Sequence, residues 1–131
     1  MSGPPMADRS ARCVLVVDDN AAVRAVVRRA LETAGYQVWE AADGLEAWAI
    51  LEQHGPLSAV IADIRMPNMD GWELAARLAK HSPRIPILFI SAYDAHWGSA
   101  TLPGPILAKP FRAETLIGRL SQLLTAEQRS A

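Results

Sequence analysis

The chain has 131 residues, half of them hydrophobic, and a formal net charge of −1 with acids and bases interleaved. That size suits one core and excludes two of ordinary dimensions, while the balanced charge excludes a general attraction to nucleic acid or anionic lipid. Cys13 is the single cysteine, which excludes an intrachain disulfide, and no apolar stretch approaches the roughly 20 residues of a membrane span.

Residues 1–12 contain Gly, Pro and Ser but no apolar h-region, so they read as a flexible leader rather than a signal peptide, and a cytoplasmic setting is expected. Residues 13–17, Cys-Val-Leu-Val-Val, form a short run that is apolar on both faces, as in a buried parallel strand. In this run Cys13 reads as a buried, inert thiol in a reducing compartment. The run stops at Asp18-Asp19, and Asn20 supplies an N-cap. Val23, Val26, Val27, Ala30, Leu31 and Ala34 then recur at helical spacing, with Arg24, Arg28 and Arg29 on the other faces and Gly35 as a stop.

The alternation repeats. Residues 36–41 predict a second strand and 44–53 a second helix carrying Leu45, Trp48 and Leu51, broken by Gly55-Pro56. Residues 57–62 predict a third strand ending at Asp63, and a third helix follows over 72–80, with Asp70-Gly71 as its turn and N-cap. Residues 85–90 predict a fourth strand ending at Ser91, with Pro86 near its start. Residues 94–105 are rich in Gly, Ser and Pro and show no helical period. Ile106-Leu107-Ala108 predicts a fifth strand ending at Lys109-Pro110, and a last helix carries Leu116, Ile117, Leu120, Leu123 and Leu124. The domain is expected over residues 13–125, with a tail over 126–131.

Strands alternating with helices predict a parallel sheet covered on both faces by right-handed crossovers. In such sheets ligands bind beyond the carboxyl ends of the strands. Asp18, Asp19, Asp63, Ser91 and Lys109 all fall just past such ends. Three carboxylates in one crevice repel and raise one another's pKa. A divalent cation relieves that repulsion, and an all-oxygen site favours Mg²⁺. A carboxylate is also a competent nucleophile toward phosphorus, and a cation plus an ammonium spread the charge of a transferring phosphoryl group. This set of residues suits phosphoryl transfer better than proton abstraction.

The chain resembles the receiver domains of bacterial response regulators. The resemblance runs from about Cys13 to Leu124 and rests on five pieces in order: residues 16–20 (VVDDN), 42–47 (ADGLEA), 63–71 (DIRMPNMDG), Ser91-Ala92 and 109–111 (KPF). It implies a single-domain (βα)5 flavodoxin-like fold, doubly wound, with five parallel strands in the order 2-1-3-4-5. It also implies that Asp63 is the phosphoacceptor for a phosphohistidine donor. Asp19 and Asp63 would bind Mg²⁺ directly, Asp18 through water, and the backbone carbonyl of Arg65 would complete the metal site. Ser91 would hydrogen-bond a phosphoryl oxygen beside the small Ala92, and Lys109 would pair with the phosphoryl group across a cis Lys109-Pro110 bond. The implied partner is a histidine kinase or a histidine phosphotransfer protein, with a weak dimer compatible and neither nucleic acid nor membrane bound directly. Such a domain is a signalling receiver, not an enzyme on outside substrates; it catalyses only its own phosphorylation and dephosphorylation.

Two departures bear on output. The 91–109 segment is shorter than in most of the family, so the fourth helix is expected to be short or irregular, as in receivers attached to hybrid histidine kinases. Ile106 stands where an aromatic residue usually swings inward. A phosphate sink or relay without conformational output is therefore the alternative reading. A phosphoaspartate hydrolase would place a second Asp two residues after the nucleophile, where this chain has Arg65. His54, His81 and His96 lie in separate loops without metal-ligand spacing and read as surface residues. Trp39, Trp48 and Trp72 read as packing residues, Trp97 as an exposed one, and Tyr93 as a flank of the phosphorylation site.

Overall fold

A computed structural model describes residues 12–54, 57–66, 68–91 and 105–130. Strand β1 (Cys13–Val17) leads into helix α1 (Ala21–Thr33), β2 (Gln37–Ala41), α2 (Gly44–His54), β3 (Ala59–Asp63) and α3 (Gly71–His81). Strands β4 (Ile87–Ser91) and β5 (Ile106–Ala108) and helix α4 (Ala113–Ser130) complete the described elements. The five strands form one sheet in the order β2-β1-β3-β4-β5, and every pairing is parallel. This is the expected doubly wound, flavodoxin-like topology.

Alternation along each strand decides which layer a side chain joins. Leu15, Val17, Val60, Ala62 and Phe89 pack with Ala47, Leu74 and Leu78 beneath α2 and α3. Val14, Val16, Ile61, Leu88 and Ile90 pack with Val27, Leu31, Leu116 and Leu120 beneath α1 and α4. The central strands β3 and β4 are buried at every position, and β1 at all but its first. Sealing both faces of these strands explains why they read as unbroken apolar runs. Each fully buried Leu or Ile contributes about 1.5–3 kcal/mol.

Helix starts follow their capping residues. The Asn20 side chain accepts from the amides of Ala22 (2.9 Å) and Val23 (3.1 Å), and Asp70 accepts from Glu73 N at 3.0 Å. Gly35 ends α1 at φ +99°, a conformation glycine adopts without penalty.

Several boundaries move. β3 begins at Ala59 and includes Asp63, while β4 begins at Ile87 because Pro86 cannot donate to the ladder; its neighbour Val60 instead donates to the Pro86 carbonyl. α4 runs to Ser130, past the domain edge expected at residue 125, since residues 125–130 contain neither Gly nor Pro to stop it. His54 and His81 sit on the last turns of α2 and α3 rather than in loops. Each meets a tryptophan: His54 stacks on Trp39 with centroids 4.0 Å apart, and His81 meets Trp48 edge-on at 5.3 Å. Trp39 is partly exposed on the edge strand, where its side chain also meets the Cys13 thiol. The expected leader, the short fourth helix, Ala92, Tyr93, His96 and Trp97 lie outside the described residues.

Candidate functional site

Strand register assembles the site. Val17 pairs with Ala62, which sets Asp18 level with Asp63, and Asp63 in turn pairs with Ile90, one residue before Ser91. Ser91 pairs with Ala108, one residue before Lys109. The backbone amide of Lys109 also donates to the Ser91 carbonyl at 2.7 Å. Five sequence-predicted residues therefore share the carboxyl edge of the sheet.

Their side chains converge. Lys109 Nζ donates to Asp63 Oδ2 at 2.9 Å and to Asp18 Oδ2 at 3.0 Å. Asp18 is fully buried, Asp63 is 8% exposed and Ser91 2%, whereas Asp19 is exposed. Asp18, Asp19 and Asp63 each offer a carboxylate oxygen, and these oxygens lie within 4.8 Å of one another. They form the one such acidic cluster among the described residues. Hard carboxylate oxygens at this spacing fit Mg²⁺ or a similar cation. The Lys109-Pro110 bond is cis, as the resemblance implied.

Electrostatics sharpen the contrast within the cluster. Burial pushes the Asp63 carboxyl above its ordinary value, the Lys109 hydrogen bond opposes that, and the neighbouring Asp18 charge adds to it. Lys109 shifts upward as well: burial disfavours its charge, but hydrogen bonds to Asp63 and Asp18 outweigh that cost. An isolated ammonium this sheltered would lose its proton more easily. Lys109 keeps it because two carboxylates face it.

The loop after β3 approaches the same place. Arg65 N donates to Asp63 Oδ1 at 3.2 Å, and Gly71 N donates to Ile64 O at 2.8 Å. A Cβ on Gly71 would sit 2.6 Å from the Asp63 carbonyl oxygen, so only glycine permits this return of the chain. On the far side, Asn68 Nδ2 donates to Asp43 Oδ2 at 2.7 Å, and Gly44 N donates to Met69 O at 3.1 Å. Asn68 adopts φ +68°, a left-handed conformation that Asn tolerates.

Sequence reasoning named Asp43, Gly44 and Asn68 only as members of matched stretches; their role as a clamp on the Arg65 loop emerges here. It placed Arg24 only on a polar face of α1; in the structure Arg24 Nη1 donates to the Asp18 carbonyl at 2.7 Å and its Nε meets Glu40 Oε1 at 3.1 Å. An arginine on the first turn after an acidic pair is a usable signal, because that turn faces back toward the strand end.

The family model for the response regulator receiver domain matches residues 14–121. The chain belongs to the response regulator receiver domain family. Over 116 residues this receiver is 39% identical to "Sensor kinase CckA" of Brucella abortus (strain 2308), covering 85% of this chain and 12% of that protein. Over 117 residues it is 38% identical to "Response regulator MprA" of Mycobacterium sp. (strain KMS), covering 85% of this chain and 50% of that protein. The receiver thus spans half or less of these curated relatives. A crystal structure of the receiver domain from the hybrid histidine kinase CckA matches with a TM-score of 0.74 and 37% identity, covering 86% of this chain and 98% of that one. As a receiver it is a module of the two-component kind. Among the described residues no helix is long and apolar enough to cross a membrane.

Proposed function

We propose that this receiver takes a phosphoryl group on Asp63 from a phosphohistidine donor, with Mg²⁺ held directly by Asp19, Asp63 and the Arg65 backbone carbonyl and by Asp18 through water. One observation carries the reading: Lys109 Nζ bridges Asp18 and Asp63 beside a third carboxylate, Asp19. Bound Mg²⁺ supplies positive charge that relieves carboxylate repulsion and receives phosphoryl oxygens. An Asp63 oxygen attacks phosphorus, the P–N bond breaks, and its electron pair leaves with the donor imidazole, giving an acyl phosphate. Lys109 turns from the carboxylates to the incoming phosphoryl oxygens, and the Ser91 hydroxyl donates to another of them. Water later attacks the acyl phosphate, releasing inorganic phosphate and restoring the Asp63 carboxylate. The chain acts on no outside substrate in this scheme; it catalyses its own phosphorylation and dephosphorylation, in the cytoplasm where kinase domains with ATP reside.

The test is mass spectrometry after incubation with acetyl phosphate or a candidate kinase and Mg²⁺. The expected result is a gain of one phosphoryl group that is base-labile and absent in Asp63→Asn. An unchanged mass with every donor would overturn the proposal.

A second reading, a phosphate sink without conformational output, is favoured by Ile106. This β-branched residue pairs with Phe89 and packs half-buried on the core beneath α2 and α3. It offers no aromatic ring to rearrange. Backbone amide NMR shifts with Mg²⁺ and a phosphoryl mimic separate the two readings: shifts confined to the acidic pocket identify the sink, whereas shifts that extend over residues 93–105 identify a switch biased by Ser91 and Lys109.

A further inference from the structure

The acidic residues are held very differently. Asp63 accepts hydrogen bonds from Lys109 and from the amide of Arg65. Asp18 is tied on four sides: Lys109 meets Oδ2, Asn20 N donates to Oδ1 at 2.9 Å, its own amide donates to Ala41 O at 3.1 Å, and Arg24 donates to its carbonyl. The described hydrogen bonds and ion pairs leave the exposed Asp19 carboxylate untied. What orients Asp19 is therefore its backbone, above all the peptide joining it to Asp18. The carbonyl of that peptide is the group Arg24 grips.

Arg24 is itself braced. Its Nε meets Glu40 Oε1 on β2 at 3.1 Å, and Glu40 Oε2 takes Arg28 Nη1 at 2.6 Å. Arg28 closes the chain on Glu32 at 2.9 Å. Arg24 is 19% exposed and Glu40 28%, so the pair is sheltered more than an ordinary surface pair. A planar guanidinium can grip a carbonyl and a carboxylate at once in fixed directions, which a lysine cannot do.

We infer that Arg24 is a positioning residue for the divalent cation: by anchoring the Asp18–Asp19 peptide to Glu40, it presents the Asp19 carboxylate to the metal. The inference rests on the Mg²⁺ reading above and adds to it a residue outside the ligand set. Its sign distinguishes it from a simple charge effect. Removing a nearby cation strengthens Mg²⁺ binding by Coulomb's law, whereas losing a partner that orients a ligand weakens metal affinity, typically by 10–100-fold.

The experiment is calorimetric titration of Mg²⁺ into the wild type, Arg24→Gln, Arg24→Lys and Glu40→Asp, each with its thermal midpoint measured. The wild type must bind Mg²⁺; if it does not, the metal reading itself fails. Given that binding, the expected result is a dissociation constant about tenfold higher for both Arg24 variants, and a smaller increase for Glu40→Asp. Phosphorylation by acetyl phosphate should recover as Mg²⁺ is raised to saturation. Arg29→Gln, which removes an exposed charge from the same helix outside this network, should bind like the wild type. An unchanged or tighter constant in Arg24→Gln and Arg24→Lys overturns the inference, even if both melt lower. If the Arg24 variants do not fold, Glu40→Asp decides, because it keeps the charge and draws the carboxylate back from Arg24: a weaker constant supports the inference and an unchanged one overturns it.

Discussion

Lys109 Nζ stands 2.9 Å from Asp63 Oδ2 across 46 residues of sequence, and the same ammonium reaches Asp18. Two carboxylates share one cation, so neither is fully neutralised. That leaves the pocket electronegative enough to draw a second cation. It also leaves the ammonium able to move to a phosphoryl oxygen without abandoning a partner it alone supports.

Lys109→Met should therefore slow phosphorylation of Asp63 by acetyl phosphate. A hydrogen bond to a charged group contributes about 1.5–3 kcal/mol, which corresponds to a slowing of about tenfold to a hundredfold. Time-resolved mass spectrometry at saturating Mg²⁺ checks this, and a rate equal to the wild type would remove Lys109 from the transfer step.

Asp63→Asn should raise the thermal midpoint in EDTA. Burial, opposed by Lys109 and aided by Asp18, holds the folded-state carboxyl above its unfolded value. For an acid shifted in this direction, ionisation opposes folding at neutral pH, and the penalty disappears as pH falls through the raised folded value. The neutral amide removes the penalty at every pH, so the gain over the wild type should shrink on acidification. Lys109 keeps its Asp18 partner in the variant, which limits the loss on that side.

The opposite linkage applies at Glu40. The hydrogen bond from Arg28 and the further one from Arg24 hold its carboxyl below the ordinary range against the effect of partial burial. Its stabilising effect is present above the unfolded-state value and lost as pH falls through the lowered folded value. Glu40→Gln should therefore cost most near neutrality, about 0.2–1 kcal/mol, because solvent still screens this partly exposed pair. The cost should vanish in strong acid. Melting curves of both proteins across pH test it, and a difference that grows on acidification would contradict the ion-pair account.

Two glycines should respond in opposite directions. Gly71→Ala drives a methyl against the Asp63 carbonyl (2.6 Å) and the Ile64 Cα (3.0 Å), both backbone atoms that cannot swing aside. The expected destabilisation is about 1–3 kcal/mol, accompanied by weaker Mg²⁺ binding because Asp63 must shift. Gly118, inside α4, has nothing within 4 Å of its added methyl, so Gly118→Ala should stabilise by roughly 0.5–1 kcal/mol. Chemical denaturation of the pair gives both signs in one comparison.

Much of this molecule was legible in the chain. Apolar runs such as 14–17 and 59–62 are buried on both faces and so read as central parallel strands. Asn20 and Asp70 begin their helices because short polar side chains satisfy amides that the helix leaves open. Asp18 and Lys109 follow strand ends, Asp63 and Ser91 are the last residues of theirs, and parallel topology gathers strand ends at one edge. These are local or periodic features, and a linear sequence carries them fully.

The tertiary structure decided the partnerships. That Lys109 grips Asp18 as well as Asp63, that Asn68 reaches Asp43, and that Arg24 ties the Asp18 carbonyl to Glu40 each depend on the separation and angle of groups from different elements. A hydrogen bond tolerates only a few tenths of an ångström and a limited angle. Residue type and spacing do not contain that information; it arises only when sheet register and helix packing have set the backbones in place.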